Sequence, residues 1–227
     1  MSSTGAPATM VLADLGPIAQ LRSGRLGRRL VQLYAGLVLY GVSIAMMVRS
    51  DLGVAPWDVL HSGITRHLPF TIGQVLTGVS FLVLVLWIPL REKPGIGTIS
   101  NALVIGLTAD LTLSLIGTPD ALPVRLTLVV GGVVLCGLAT ATYIGAQLGR
   151  GPRDGLMTGL TRRTGLSLRL VRTGLEITVV LIGLALGGAL GFGTVLFALT
   201  IGPLTQAMLP WVMVPVEAPQ PVSVGSR

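Results

Sequence analysis

Two aspartates at matching positions, Asp58 and Asp154, have the type and spacing that most suggest chemistry in this sequence. They occupy equivalent places in two similar segments, residues 52–66 (LGVAPWDVLHSGITR) and residues 148–162 (LGRGPRDGLMTGLTR). Each lies in the first turn of a predicted short helix, where a carboxylate meets free backbone N–H groups and the positive end of the helix dipole. Two interpretations follow. The aspartates cap their helices, for roughly 0.5–2 kcal/mol each, or they form a pair that binds a cation or shares a proton.

An arginine precedes the second aspartate only. Arg153 stands where the first segment has Trp57. It can serve as a positive anchor at the membrane surface, which needs no further explanation. Beside a helix N-terminus, its planar guanidinium can instead bind an anionic group through two parallel hydrogen bonds. Both interpretations stay open at this point.

An ion pair is predicted inside a hydrophobic segment of the second half. Arg172 and Glu176 are four residues apart, so they share one face of a helix. An ionised glutamate at membrane depth costs several kcal/mol unless it is paired or hydrated. The pair is either a structural link that fixes helix packing or a site at which Glu176 titrates and gates movement. Its counterpart in the first half is Ser80, so the feature is asymmetric.

Four further polar residues lie within or beside the predicted helices. Asn101 is expected to hydrogen-bond a neighbouring helix, an interaction worth about 0.6 kcal/mol in membrane proteins. Asp110 either reaches the membrane surface or faces a cavity. His61 and His67 are predicted to have no carboxylate or second histidine at ligand spacing, so no metal site is expected.

Composition assigns the chain to the membrane proteins. Hydrophobic residues make up 51% of the 227 residues and charged residues only 11%, and the mean hydropathy is +0.81. The net charge of +7 does not indicate nucleic acid binding, because the arginines cluster between apolar runs, as the positive-inside rule describes. A single cysteine, Cys136, excludes a disulfide within one chain. Neither a phosphate-binding loop nor a hydrolase or metalloprotease motif is present, so we expect no enzyme activity and no cofactor.

The similarity between the two segments extends over both halves of the chain. Without a gap, roughly a third of the positions recur 96 residues later, which predicts a duplicated architecture. The hydrophobic pattern predicts two short helices, at 55–67 and 152–164, and six membrane spans, at 30–49, 71–90, 97–116, 125–146, 168–189 and 192–212. The expected domains are a disordered cytoplasmic tail at 1–29, a first membrane repeat at 30–118, a second at 119–212, and a disordered tail at 213–227.

Charge distribution decides whether the short helices cross the membrane. If they do not cross, one side receives 12 of the arginines and lysines between the spans and the other side receives 3; if they cross, this bias largely disappears. We therefore predict an all-α membrane protein with six transmembrane helices, arranged as two inverted three-helix repeats. Each repeat contains one short broken or re-entrant helix, and both termini are cytoplasmic. Interrupted segments at matching positions of inverted repeats indicate a transporter-type site between the halves.

Glycines and prolines are expected to form the hinges of the two short helices. Gly53, Gly149 and Gly151 permit a tight entry into the helix, with positive φ where it is needed. Pro56 and Pro152 suit the first helical turn, where a backbone N–H has no helical partner.

Several strings in the sequence are similar to a known family. The strings GPRDGLMTGL at 151–160, RTGLE at 172–176 and GFGTVLFALTIGPL at 191–204, with LGVAPWDVL and GTISNALVIGLTAD in the first half, resemble the YczE/YyaS/YitT group of bacterial integral membrane proteins, closest to its YczE branch. The likeness covers residues 30–210. It implies a two-repeat helical protein of the bacterial cytoplasmic membrane and names no substrate.

These features predict a small secondary transporter or permease of the bacterial inner membrane. Its site would lie between the halves and use the polar residues above: Asp58, Asp154, Arg153, Glu176, Asn101, Asp110 and Arg172. The expected partners are the lipid bilayer and an unknown small molecule or ion, and a homodimer is compatible with the many small residues. The alternative is a membrane scaffold or regulatory protein that transports nothing and whose polar residues are structural.

Overall fold

The computed structural model describes residues 16–216, which form helices joined by loops without any strand. The parts of the predicted tails at 1–15 and 217–227 lie outside the described residues. Within 16–216 the helices are α1 (Pro17–Arg22), α2 (Leu26–Ser50), α3 (Pro56–Thr65), α4 (Ile72–Leu90), α5 (Ile96–Leu115), α6 (Leu122–Gly145), α7 (Pro152–Thr164), α8 (Leu168–Ala185) and α9 (Phe192–Val212).

Five of these helices, α2, α4, α5, α6 and α9, are long and apolar enough to cross a membrane. The remaining predicted span, at 168–189, corresponds to α8, which has 18 residues and contains Arg169, Arg172 and Glu176. It also ends at Ala185, four residues before the predicted end of the span. The turn at Gly187, with φ of +77°, stops it there, and the N–H of Gly188 bonds back to the Gly183 carbonyl at 2.7 Å.

The structure corrects the predicted disordered tail at 1–29, because the described residues from 17 onward are mostly helical. Residues 17–22 form α1, and α2 begins at Leu26 rather than at residue 30. The reason is Arg29, which is fully buried. Its guanidinium donates to the carbonyls of Gln20 at 2.6 Å, Ala146 at 2.8 Å and Gln147 at 2.6 Å. A residue expected at the membrane surface therefore fixes the start of α2 to the end of α6.

The equivalent arginine of the second half makes the reciprocal contact. Arg125, 96 positions after Arg29, donates through Nε to the Ser50 carbonyl at 2.7 Å. Its Nη2 donates to the Asp51 carbonyl at 2.7 Å and to the Asp51 carboxylate at 2.9 Å. Each arginine thus joins the start of one long helix to the end of the other, so α2 and α6 run antiparallel.

A second reciprocal pair lies where the loops before the short helices meet the starts of α5 and α9. The Gly97 N–H donates to the Leu148 carbonyl at 2.8 Å, and the Gly193 N–H donates to the Leu52 carbonyl at 2.7 Å. The two bonds are related by the same shift of 96 residues, with the two halves exchanged. Each half therefore positions the chain that leads into the short helix of the other half.

The glycine hinges differ in what they require. Gly53 and Gly149 have φ of +108° and +127°, as predicted, and a Cβ at Gly53 would lie 2.7 Å from the Gly191 nitrogen. Gly151 has an ordinary φ of −61°, so the entry into α7 needs no positive φ at that residue. The space at this glycine is tight, because a Cβ there would lie 3.1 Å from Asp154 Oδ2 and 3.2 Å from the Tyr143 hydroxyl. Helices α3 and α7 begin at the predicted prolines.

Each short helix packs against a long helix of the other half. A Cβ at Gly155 of α7 would overlap the indole ring of Trp87 on α4, and a Cβ at Gly183 of α8 would overlap the backbone of Val59 on α3. Gly155 is equivalent to Val59 and Gly183 to Trp87. The two interfaces thus occupy matching places, but the small residue lies on the short helix in one and on the long helix in the other.

The substitution Gly155→Ala is expected to destabilise the folded protein by about 1–3 kcal/mol, because the added methyl must displace the buried Trp87 ring. Denaturant unfolding of the purified protein in detergent measures the change. Gly174→Ala on α8 is the matched control, since a Cβ there meets nothing within 4 Å. Equal free energies of unfolding for the two variants would contradict the proposed close packing of α7 on α4.

Candidate binding site between the two halves

The N-terminal ends of the two short helices meet at the centre of the fold. The Arg153 guanidinium lies 4.9 Å from the centre of the Trp57 ring, a cation–π contact between two equivalent residues. The C-terminal ends lie apart: Gly63 of α3 contacts Gly183 near the end of α8, and Arg162 of α7 donates to the carbonyl of Leu90 at the end of α4. The first turns of α3 and α7 therefore face each other.

Asp58 is buried by the surrounding protein and is only 2% exposed. Its Oδ1 lies 2.9 Å from Nδ1 of His61 and 3.9 Å from Nη2 of Arg153. The prediction that His61 has no carboxylate partner is wrong, because residues three apart on a helix share a face. Within residues 16–216 no group of three or more His, Cys, Asp or Glu side chains has the geometry to hold a metal ion.

Asp154 has a different environment from its counterpart. Its Oδ2 accepts a hydrogen bond of 2.8 Å from the Tyr143 hydroxyl. The Tyr143 ring in turn packs edge-on against Tyr40, with ring centres 6.2 Å apart. Each aspartate thus takes side-chain partners of its own, and among the described residues neither is bonded to the other.

A cavity of about 230 Å³ adjoins this cluster. Six helices, α2, α3 and α6 to α9, contribute its polar and aromatic lining: Tyr40, Trp57, Thr140, Tyr143, Arg153, Asp154, Arg172, Glu176, Thr205 and Gln206. The Arg172 Nε lies 2.9 Å from Glu176 Oε1, so the predicted ion pair forms and borders this cavity. We call this space the large cavity.

A second space of about 50 Å³, the small cavity, lies on the other side of the same cluster. It shares four lining residues with the large cavity, namely Tyr40, Tyr143, Arg153 and Asp154. The rest of its lining matches that of the large cavity after the 96-residue shift: Leu76, Ser80, Asn101 and Ile105 stand where the large cavity has Arg172, Glu176, Phe197 and Ile201. The two cavities are therefore equivalent spaces in the two halves.

Asp110 lies away from both cavities. Its carboxylate accepts from the Thr71 hydroxyl and, at 2.8 Å, from the Gly73 N–H at the start of α4. These contacts satisfy the first turn of α4, so Asp110 serves as a cap contributed by another helix. Asn101 borders the small cavity as a buried residue. The structure thus brings together Arg153, Asp154, Arg172 and Glu176, with Asp58 directly behind Arg153.

Sequence reasoning did not select the aromatic residues of the site. Tyr40 and Tyr143 separate the two cavities, and Trp57 supports the guanidinium of Arg153. One signal was available. Tyr40 stands in the middle of its predicted span, away from the membrane surfaces where tyrosine is usually enriched, whereas Tyr143 is close to the end of its span and gave no such signal.

Comparison with known proteins places this chain in a family. Residues 27–210 match the model of a family of unknown function, DUF6198. The chain belongs to this family. Three relatives each align with 77–78% of this chain. An uncharacterized protein of Haemophilus influenzae is 42% identical over 177 residues, which cover 78% of this chain and 81% of that protein.

The other two relatives come from Bacillus subtilis. The uncharacterized membrane protein YczE is 32% identical over 180 residues, covering 78% of this chain and 83% of YczE. The uncharacterized protein YyaS is 28% identical over 182 residues, covering 77% of this chain and 89% of YyaS. No solved structure gives a significant match to the chain. The DUF6198 match and these relatives confirm the predicted resemblance to YczE-like proteins and the assignment as an integral membrane protein with several spans.

Proposed function

We propose that the protein is a small secondary transporter or permease of the bacterial inner membrane, with its binding site between two inverted three-helix repeats. Two sets of reciprocal contacts support the inverted arrangement: Arg29 with Ala146 matches Arg125 with Ser50, and Gly97 with Leu148 matches Gly193 with Leu52. In each set, interchanging the two halves turns one contact into the other, and the two contacts lie at opposite ends of equivalent helices that run antiparallel. A two-fold axis in the membrane plane produces contacts of this kind.

In this proposal α8 also crosses the membrane, which brings the number of spans to six. Its charged residues belong to its first half, and Arg172 and Glu176 border the large cavity rather than lipid alone. Ionisable residues within the membrane are tolerated where they face a hydrated cavity or each other. The loops before α3 and α7 then enter from opposite membrane surfaces, and the N-termini of both helices lie at mid-depth. Both termini are cytoplasmic, as the charge bias predicts.

The pair of equivalent cavities carries the proposal. A transporter with alternating access needs two vestibules that open to opposite surfaces and share one binding site. The large and small cavities have matching walls and share Tyr40, Tyr143, Arg153 and Asp154. The large cavity is then the open vestibule and the small cavity the closed one, and the shared residues form the binding site. We assign no catalytic step to the protein.

The scaffold alternative rests on one observation, the burial of Asp58. A carboxylate that is 2% exposed and bonded to His61 acts as an internal link in this structure, as a structural role requires. The two functions differ in what loss of the protein does. A scaffold changes the level or activity of a partner, whereas a transporter changes how a solute is distributed across the membrane.

A deletion strain tests the proposed function. Intracellular and exported small molecules are compared by mass spectrometry in the deletion strain, with and without the native gene on a plasmid. We expect at least one solute to shift between cells and medium in the deletion strain and to return with the native gene. The same solute must then cross proteoliposomes that contain the purified protein and not cross protein-free liposomes. No shift, or flux equal in both kinds of liposome, would contradict transport.

A further inference from the structure

We infer that the site takes a small monoanion of the carboxylate type, bound by the guanidinium of Arg153. The inference rests on the proposed function, because it names the substrate class of the same site. Three independent features of the structure carry it: the free donors of Arg153, the direction of the two half-helices, and the kind of polar group left unpaired at the cavity wall.

Arg153 is oriented by its surroundings without being saturated by them. Its side chain is 21% exposed, stacked on Trp57 and 3.9 Å from the Asp58 carboxylate. Within residues 16–216 none of its five N–H donors makes a hydrogen bond in the structure. It borders both cavities. A held guanidinium with unused donors is suited to a planar oxyanion, which it can bind through two parallel hydrogen bonds.

The direction of α3 and α7 adds to the positive potential at this place. Both helices begin beside the cavities, with Pro56 bordering the large cavity and Pro152 the small one. Helix N-termini carry partial positive charge, and discontinuous membrane helices use them to bind anionic groups of substrates. Because the two N-termini converge here, an anion at Arg153 is stabilised by both dipoles.

Two residues that line the large cavity, Trp57 and Thr205, each carry a hydrogen-bond donor without a partner. The Trp57 Nε1 and the Thr205 hydroxyl are themselves closed off from solvent, and neither has a partner among the described residues. Trp57 is only 6% exposed. An indole N–H can donate but not accept, so it requires an acceptor. A bound carboxylate supplies acceptor oxygens, whereas a metal ion or an ammonium group supplies none.

The charges around the site set the charge of the ligand. Glu176 is neutralised by Arg172 at 2.9 Å, and Asp154 accepts from Tyr143. The hydrogen bond from Tyr143 brings no positive charge to Asp154, and the Arg153 guanidinium that faces the ligand is already partly matched by Asp58. A dianion would also face the carboxylates of Asp154 and Glu176 in the same cavity. The structure therefore favours a single negative charge.

Tryptophan fluorescence of the purified protein in detergent tests this assignment. Trp211→Phe removes an exposed residue and leaves two buried reporters, Trp57 at the large cavity and Trp87, whose Nε1 donates to the Pro152 carbonyl beside the small cavity. Sodium acetate, sodium lactate, sodium phosphate and choline chloride are titrated at constant ionic strength with sodium chloride. We expect a saturable change with the carboxylates. Arg153→Gln should weaken it about 10- to 100-fold, Arg153→Lys should weaken it less, and the exposed-surface control Arg169→Gln should leave it unchanged.

Each outcome decides the assignment. A saturable response to phosphate that exceeds the response to carboxylates, a response to choline alone, or no saturable response would overturn it. Carboxylate binding that is equally tight in Arg153→Gln would also overturn it. Liposome flux of the bound carboxylate separates this inference from the proposed function. Binding through Arg153 without flux upholds the anion site and contradicts transport, whereas flux of a solute that is insensitive to Arg153→Gln does the reverse.

Discussion

The substitution Asp154→Asn is expected to reduce flux of the transported solute by about 100-fold, which corresponds to roughly 2.8 kcal/mol, while the protein stays folded. Asp154 borders both cavities, so its charge is present in each state of the proposed cycle. Asparagine keeps the size of the side chain and an oxygen that accepts from the Tyr143 hydroxyl, but it removes the charge. Flux of the solute identified in the deletion strain, measured in proteoliposomes, gives the result.

Controls separate this effect from misfolding. Asp51→Asn changes an exposed carboxylate that is paired with Arg125 at the far end of α2 and should leave flux within about twofold. Asp58→Asn tests the second carboxylate, whose bond to His61 and proximity to Arg153 make it a positioning residue. If both Asp154→Asn and Asp58→Asn keep full flux, the role assigned to the two carboxylates is wrong.

Replacing Arg29 by glutamine should cost about 3–5 kcal/mol of folding stability. The substitution removes a buried guanidinium and leaves the carbonyls of Ala146 and Gln147 without their donors. Denaturant unfolding in detergent measures the loss. Arg125→Gln, whose side chain is 25% exposed, should cost less, about 1–2 kcal/mol.

The neighbouring exposed residue provides the control for this experiment. Arg28→Gln removes the same charge from the same end of α2 without touching the buried carbonyls, and it should change stability by less than about 0.5 kcal/mol. A loss for Arg29→Gln no larger than that for Arg28→Gln would show that the contact between α2 and α6 does not stabilise the fold.

Most of the helical architecture could be predicted from the sequence, because apolar runs, prolines and the 96-residue shift are local or periodic signals. Helix α7 begins and ends where the pattern places it, at residues 152 and 164. Arg29 and Arg125 were also visible as a matched pair, but the positive-inside rule treats every arginine near a span as a surface residue. Their bonds to carbonyls of the other half depend on tertiary packing, which periodicity does not encode.

The sequence predicted which charged residues form the site better than it predicted how they are arranged. The contact of Asp58 with His61 follows from a spacing of three on one helix and could have been recognised. The bond between Asp154 and Tyr143 could not, because it joins the start of α7 to α6 across a loop. One of the two interpretations left open by the sequence made the two aspartates facing partners. In the structure the equivalent residues in contact are instead Trp57 and Arg153.

Differences between the two cavities fit a duplicated protein whose halves have specialised. Where the large cavity has Arg172 and Glu176, the small cavity has Leu76 and Ser80. An ion pair needs water or a polar ligand near it, whereas leucine and serine allow the walls to close. In the proposed transporter this difference makes one vestibule open by default and the other closed.

Thiol labelling in intact vesicles of known orientation tests most directly whether the two halves face opposite membrane surfaces. Cys136, the buried native cysteine, is first replaced by alanine. Single cysteines are then introduced at Ile201 in the wall of the large cavity and at its equivalent Ile105 in the small cavity. We predict that a membrane-impermeant reagent modifies Cys at 201 from the cytoplasmic side and Cys at 105, more slowly, from the opposite side only. Modification of both thiols from the same side would contradict the inverted arrangement and the shared site between the halves.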